Sequence, residues 1–226
     1  MAARNCLSLT LLVLSAGGVV AGAGALLAQS RPSGALPAPS VKGERSLEEV
    51  LAARRSVRRF QRQPLGEQQI AQLCWAAQGV TEPSRGLRTA PSAGATYPLE
   101  LFVVTADGVS HYVPADHALR PHLTADVRRQ LQQAALGQAS VGDAPAVFAI
   151  AGVVQRTQAK YGPRAERYVA MEAGHAAQNL LLQATALGLG GVPVGAFQDA
   201  DVAKVLNLPV DFSPLYLIPV GRPAGK

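Results

Sequence analysis

The 226-residue chain is 48% hydrophobic and 16% charged, an ordinary globular composition with enough length for one sizeable core or two small ones, which excludes wholesale disorder. Lys and Arg number 21 against 15 Asp and Glu, and the resulting +6 suits nucleic acid, an anionic membrane or a bound phosphate group alike. Aromatic residues make up only 5%, with one Trp, thin stock for a platform that stacks bases, so no nucleic-acid partner is expected.

Residues 1–28 open with one arginine and then run without charge from Cys6 to Ala28, a charged start followed by an apolar stretch with small residues at Ala23, Ala25 and Ala28. This is the pattern of an export signal, and the expectation is an exported, periplasmic protein. An uncleaved anchor in the membrane is the alternative, because the run is about as long as a bilayer is thick. Residues 29–45, rich in Pro, Ser and Gly, read as a tether, and the domain is expected over 46–226.

Within that domain, Ser46-Leu-Glu-Glu49 is a capping box that opens a helix over 47–54. A second helix is predicted over 67–78, with Ile70, Leu73, Cys74 and Ala77 on one face. The breaker-rich stretch 79–98 is too long for a passive turn and is a candidate functional loop. Residues 99–105 read as a strand, and the turn at 106–108 with 109–113 completes a hairpin. A helix over 126–136 and a buried strand over 146–154 follow. The longest helical periodicity spans 164–187, where Val169, Ala173, Ala176, Leu180 and Ala184 recur; its apolar second half marks a central buried helix, stopped by Gly188, Gly190 and Gly191. A short strand over 192–197, a helix capped by Asp199 and a last strand over 215–220 end the chain. Strands and helices in this order give an α+β domain.

Metal chemistry is not expected. Cys6 and Cys74 are far apart, and His111, His117, His122 and His175 lack ligand spacing, so neither a zinc site nor a disulfide framework is indicated; Cys74 reads as a small buried hydrophobe. The strongest local signal is Arg54-Arg55-Ser56-Val57-Arg58-Arg59, because guanidinium groups around a hydroxyl suit a phosphate dianion. A basic helix end that complements the macrodipole is the equally weighted plain reading. Small residues in Pro91-Ser92-Ala93-Gly94-Ala95-Thr96-Tyr97-Pro98 and in the 188–197 stretch let a flat ligand approach the backbone. The latter is not a GxGxxG after a strand, which disfavours a dinucleotide fold. Glu172, His175, Gln178 and Asn179 read as satisfied polar groups at a helix or subunit contact.

Taken together, the early RRSVR, the PSAGATYP leading into a strand, KYGPRAERY running into MEAGHAAQNLLLQATALGLGGVPVGAF, and the terminal LIPVGRP resemble the nitroreductase family of flavoproteins, in particular its SagB/ThcOx-type dehydrogenase branch. The resemblance spans Ser46 to Pro223. It implies a three-layer α+β sandwich with a central, mostly antiparallel sheet flanked by helices, and a homodimer sharing an FMN site. By the same resemblance Arg54, Arg55, Ser56 and Arg58 hold the phosphate, ribityl and pyrimidine end, with Arg222 as phosphate partner. Ser92, Ala93 and Ala95 come from the other subunit, Gln138 reaches the pyrimidine edge, and Pro193, Val194 and Gly195 lie against the isoalloxazine. Lys160 and Tyr161 match a pair used in proton removal. The chain lacks a peptide-binding extension and stops soon after Arg222, two departures from the pattern.

The expected activity is FMN-dependent two-electron hydride transfer through flavin N5, acting on a small or peptide-derived substrate with NAD(P)H or another electron donor. The alternatives are a flavin-binding or flavin-sequestering envelope protein without turnover, and a basic protein that holds an anionic polymer through residues 54–62.

Overall fold

In the computed structural model, residues 34–225 are described, so the proposed export segment and the first part of the proposed tether lie outside the described residues. The elements in chain order are helix α1 (Leu47–Ala53), helix α2 (Glu67–Gln78), strands β1 (Val80–Glu82) and β2 (Leu87–Arg88), strands β3 (Leu99–Thr105), β4 (Gly108–Val113) and β5 (Ala118–Leu123), and helices α3 (Arg128–Ala134) and α4 (Ala139–Asp143). They continue with strand β6 (Ala146–Gly152), helices α5 (Val154–Tyr161) and α6 (Ala165–Ala186), strand β7 (Gly190–Gly191), helix α7 (Asp199–Val205) and strand β8 (Ser213–Gly221).

Six strands form one sheet in the order β5-β4-β3-β6-β8-β7, every neighbouring pair antiparallel. The central strands are apolar on both faces because both faces are covered. Alternation along each strand sends Leu101, Val103, Phe148, Ile150 and Ile218 to one side, against α2 and α6, where Leu73, Ala176 and Leu180 complete a core. Phe102, Val104, Val147, Ala149 and Leu217 point the other way, into a second core with Leu131 of α3, Val202 of α7 and Leu206 just after it. The result is the expected three-layer α+β sandwich. Cys74 is wholly buried in the first core, and burial drives its thiol pKa upward.

Helix α6 sits close to the sheet because its inward face is mostly alanine: Ala173, Ala176, Ala177 and Ala184 are buried along it. It ends in a Schellman turn. Gly188, at φ +69°, donates to Thr185 O (3.1 Å), and Leu189 donates to Ala184 O (2.8 Å).

Several expectations are corrected. The described part of the 29–45 stretch is laid on the domain rather than free of it. Leu36 is buried and donates to His117 O (3.0 Å), while Ser40 and Gln72 exchange two hydrogen bonds (2.8 and 2.9 Å). One leucine and backbone hydrogen bonding suffice where apolar content gave no sign. The strand anticipated over 192–197 shrinks to a single bridge from Val194 to Leu217 beside β7: Val192 donates to Pro219 O (3.3 Å), but Pro219 has no N–H to return the bond. Asp199 is the first residue of α7, not its cap; Gln198 holds that position without a side-chain bond. Strand β5 was not anticipated because Pro121 interrupts it, which an edge strand tolerates. The short helix α4 was likewise unforeseen, and α5 begins directly after β6 with no breaker to mark it.

Candidate active site

The sequence-predicted residues gather at two places. The first is the edge of β7 and β8. Ser46 and Glu49 form the capping box of α1, and the chain leaves the helix at Arg54 in an extended path. It is then stitched down: Val57 donates to Gly191 O (3.0 Å), Gln61 to Arg222 O (2.9 Å) and Ala224 to Arg59 O (3.0 Å). Ser56 bridges Gly191 in parallel and Phe60 bridges Pro223 in antiparallel sense. So close an approach requires glycine at 190, where a Cβ would lie 2.5 Å from Val57 Cγ2. The backbone thereby sets Arg54, Ser56, Arg58 and Arg222 on one edge.

Arg58 and Arg222 are exposed and Arg54 is half-buried, and among the described residues none of the three has a carboxylate partner. Arg55 is different. Its Nη1 turns back to Ala52 O and Arg54 O, both at 2.8 Å, so it satisfies the carbonyls of the helix end. A cleft of about 620 Å³ continues the positive edge from Arg58 past Arg59 and Arg62 to Arg128 and Arg129. The last two are neutralised, Arg128 by Asp126 (2.7 Å) and Arg129 by Asp143 (3.0 Å). Gln138 reaches the same neighbourhood. Its Nε2 donates to Ala135 O (3.0 Å) and Ala196 O (2.9 Å), leaving Oε1 as the atom free to accept. Pro193 and Gly195 are exposed on either side of the buried Val194.

The second place is the loop before β3. Ser92 Oγ accepts the Tyr97 N–H (2.9 Å), and Gly94 takes φ +60°. A Cβ on Gly94 would lie 2.7 Å from both Lys160 Nζ and Tyr161 Oη, so these two side chains pack directly against its α-carbon. The Tyr161 ring meets Tyr168 edge-on, with centroids 5.1 Å apart. Lys160 is exposed on the single chain.

Sequence reasoning missed the residues that fix this loop. Thr96 and Thr157 share a hydrogen bond (2.8 Å), Arg156 donates to Tyr97 O (3.1 Å), and the Arg88 guanidinium lies 4.5 Å over the Tyr97 ring. Glu100 joins Arg156 (2.5 Å) to His111 (2.6 Å). Burial pushes the Glu100 carboxyl up, but the hydrogen bonds from His111 and Arg156 outweigh it and hold the group below its usual range. Glu172, read from sequence only as a satisfied polar group, is buried, and its Oε1 has no hydrogen-bond partner. Burial raises its carboxyl above the usual range, with the nearby Ser92 hydroxyl, Arg88 and the Ala93 N–H opposing. Of its helix companions, His175 and Gln178 are exposed, and Asn179 donates to Thr89 O (3.2 Å). The one sequence signal was the spacing that sets Glu172 among the buried Val169, Ala173 and Ala176.

These two places lie at opposite ends of the sheet. Leu99 pairs with Gly152, and Gly152 pairs with Ser213 at the start of β8; Arg222 follows its last residue, Gly221. Nine residues of strand span roughly 26 Å at about 3.3 Å per step, so the arginines and the 92–97 loop of one chain stand too far apart to grip one small ligand end together. Among the described residues no cluster of potential metal ligands occurs.

The chain is thus a three-layer α+β sandwich with arginines free of carboxylate partners at one sheet edge and a small-residue loop at the far end. The Nitroreductase family sequence model matches residues 51–222, and the chain belongs to that family. It is 46% identical over 185 residues to a candidate nitroreductase of Methanocaldococcus jannaschii, covering 79% of this chain and 92% of that one. A solved nitroreductase-like structure from Ralstonia eutropha is 32% identical, with a TM-score of 0.78 over 85% of this chain and 90% of the other. A chain of the Escherichia coli microcin synthetase McbBCD complex, solved with truncated pro-MccB17 bound, is 27% identical, with a TM-score of 0.66 over 74% of this chain and 67% of that one. The protein is therefore a nitroreductase-family oxidoreductase.

Proposed function

We propose that the protein is an FMN-dependent oxidoreductase whose active site is shared between two copies of the chain. The observation that carries this reading is the separation of the two matched residue sets. The 54–58 and 222 cradle of one copy and the 92–95 loop of another must come together to enclose a ligand.

The donor set fits FMN. Arg54, Arg58 and Arg222, free of carboxylates, suit a phosphate dianion, and Ser56 adds a hydroxyl beside them. Gln138, with Nε2 committed and Oε1 free, offers the acceptor that an imide N–H of a pyrimidine ring needs. Pro193 and Gly195, exposed on either side of the paired Val194, leave backbone open to the ring system. When bound, the flavin supplies two-electron hydride chemistry at N5. The chain's own residues bind, orient and exclude water. In this reading Lys160 and Tyr161, set against Gly94, stand on the substrate side and move the proton, with the partner's surface supplying the desolvation that would make the exposed Lys160 amine a base.

The finer reading is a SagB/ThcOx-type dehydrogenase acting on a small or peptide-derived substrate. The likeness to the microcin synthetase chain and the Lys160-Tyr161 pair support it. The charge-free run of residues 6–28 supports export to the periplasm, or anchoring there by the same segment.

The visible spectrum of the purified protein tests the core of this reading. A yellow protein that releases FMN on denaturation is expected. A colourless protein that cannot be reconstituted overturns it. Lys160→Ala and Tyr161→Phe separate turnover from storage: FMN is retained and flavin reduction lost in an enzyme, whereas a flavin store shows no change.

A further inference from the structure

Two hollows at the cradle end of the sheet share a wall. The cleft of about 620 Å³ is bounded by Arg58, Arg59, Arg62, Arg128 and Arg129, with the buried Phe60 and Pro145 on its inner side. Both press on the end of β8: a Cβ on Gly221 would lie 2.7 Å from Pro145 Cδ and 3.0 Å from Phe60 Cβ. A second hollow, of about 390 Å³, is lined by Leu65 and Ile70 at the start of α2, Val103 of β3 and Leu119 of β5. Arg62, Arg128 and Pro145 line both, so the arginine cleft opens onto the apolar hollow.

Charge is divided between them as sharply as polarity. Arg128 is committed to Asp126 (2.7 Å) and the Ala144 carbonyl (3.0 Å), and Arg129 to Asp143 (3.0 Å). Arg59 and Arg62 are exposed, and among the described residues neither side chain has a partner. The flavin reading employs Arg54, Ser56, Arg58 and Arg222, which leaves these two over. In the apolar hollow Ile70 and Leu119 are only half-buried, and Asp107 at its rim is the one carboxylate among its lining residues. Unpaired guanidinium groups attract an anion, and wetted aliphatic walls gain when an apolar chain displaces the water.

We propose that this groove is a second binding site, for an amphiphile with a phosphate or carboxylate head and one aliphatic chain. Arg59 and Arg62 take the head, and the hollow between Leu65, Ile70, Val103 and Leu119 takes the chain. The site stands independently of the flavin reading and borders the cradle only at Arg58.

The position of the groove bears on where such a ligand comes from. Leu119, in its apolar wall, donates to Gly34 O (2.8 Å), so the chain that follows the charge-free run of residues 6–28 joins the domain beside it. The stretch 29–33 between them reaches about 20 Å when fully extended. A run retained in a bilayer brings the groove to the membrane surface; a run removed on export leaves it to soluble amphiphiles.

Calorimetric titration of the FMN-saturated protein with hexyl, octyl and decyl phosphate, below their micellar concentrations, tests the site. One molecule should bind per chain, about threefold to fourfold more tightly for each added methylene, the worth of burying it. Arg59→Ala with Arg62→Ala should weaken decyl phosphate by about thirtyfold, from the loss of two solvent-screened charge contacts. Arg54→Ala with Arg222→Ala should leave that affinity unchanged. The proposal is overturned if hexyl phosphate binds as tightly as decyl phosphate, if octyl glucoside binds as tightly as octyl phosphate, or if emptying the cradle abolishes binding. The chain-length series needs no substitution and decides the matter if the Arg59 and Arg62 variant does not fold. A wild type that binds no FMN defeats the flavin reading alone, since the same titrations on the flavin-free protein still decide the groove. Phosphatidylcholine vesicles carrying hexadecyl phosphate separate the two sources. Vesicle binding that is lost with Arg59 and Arg62 marks a membrane lipid, and decyl phosphate binding without it marks a soluble ligand.

Discussion

The two ends of the sheet are built on opposite plans. At the β7–β8 edge the backbone is pinned by three hydrogen bonds between 57–61 and its neighbours and between 59 and 224, while the arginine side chains it carries are left without acidic partners. The 92–97 loop is held by contacts already made within the chain: Thr96 with Thr157, Arg156 on the Tyr97 carbonyl, Arg88 over the Tyr97 ring and the Tyr97 N–H on Ser92 Oγ. An edge that holds charges apart without neutralising them stores binding energy for an anion, at a cost to the free protein. A loop whose contacts are complete before any ligand arrives loses little order on binding and places its surface in one position. The first plan serves affinity and the second geometry.

The largest effect should come from emptying the cradle. Arg54→Ala with Arg222→Ala removes two charge-assisted contacts, and FMN affinity should fall by about a thousandfold in a titration followed by flavin fluorescence. Thermal stability should stay the same or rise slightly, since like charges are removed. A marked loss of stability would show that these arginines hold the fold. Gly94→Ala attacks the other plan. Its Cβ has no room beside Lys160 and Tyr161, and alanine resists φ +60°. Displacing the loop by about 1 Å should lower kcat/KM by about a hundredfold while FMN stays bound.

Glu100→Gln is smaller and sharper. Glu100 has a depressed folded-state pKa, so its stabilisation is present above the unfolded carboxylate value and is lost as pH falls through the folded one. The variant should lose about 2 kcal/mol in denaturant unfolding at neutral pH, and the gap from wild type should close in acid. The smallest effect is expected from Ser46→Ala, which removes the cap of the helix leading into the cradle and should cost about 1 kcal/mol without changing catalysis.

Much of this was legible in the sequence where a rule is local. The Ser46-Glu49 box, the 67–78 helix with its buried Cys74, the β3–β4 hairpin and the glycine stop after α6 each depend on neighbours in the chain. The residue types of the cradle were visible too, although Arg55 turns out to satisfy its own helix end. What could not be read is what the sheet brings together from a distance. Thr96 meets Thr157 across 61 positions, and Glu100 meets Arg156 with three strands between them in the chain, with no pattern linking either pair. Strand β5 was hidden by its proline, and Leu36 anchors a stretch whose composition signalled only a tether.

The distance along β8 has a consequence for genetics. If each ligand is gripped by the cradle of one chain and the loop of another, a chain lacking Arg54 and Arg222 and a chain with Lys160→Ala are each dead alone, yet complement each other when mixed. Random pairing makes half the dimers hybrid, and each hybrid regains one whole site beside one doubly broken site, so about a quarter of wild-type activity should return. Two null alleles in one cell would then behave as a working gene.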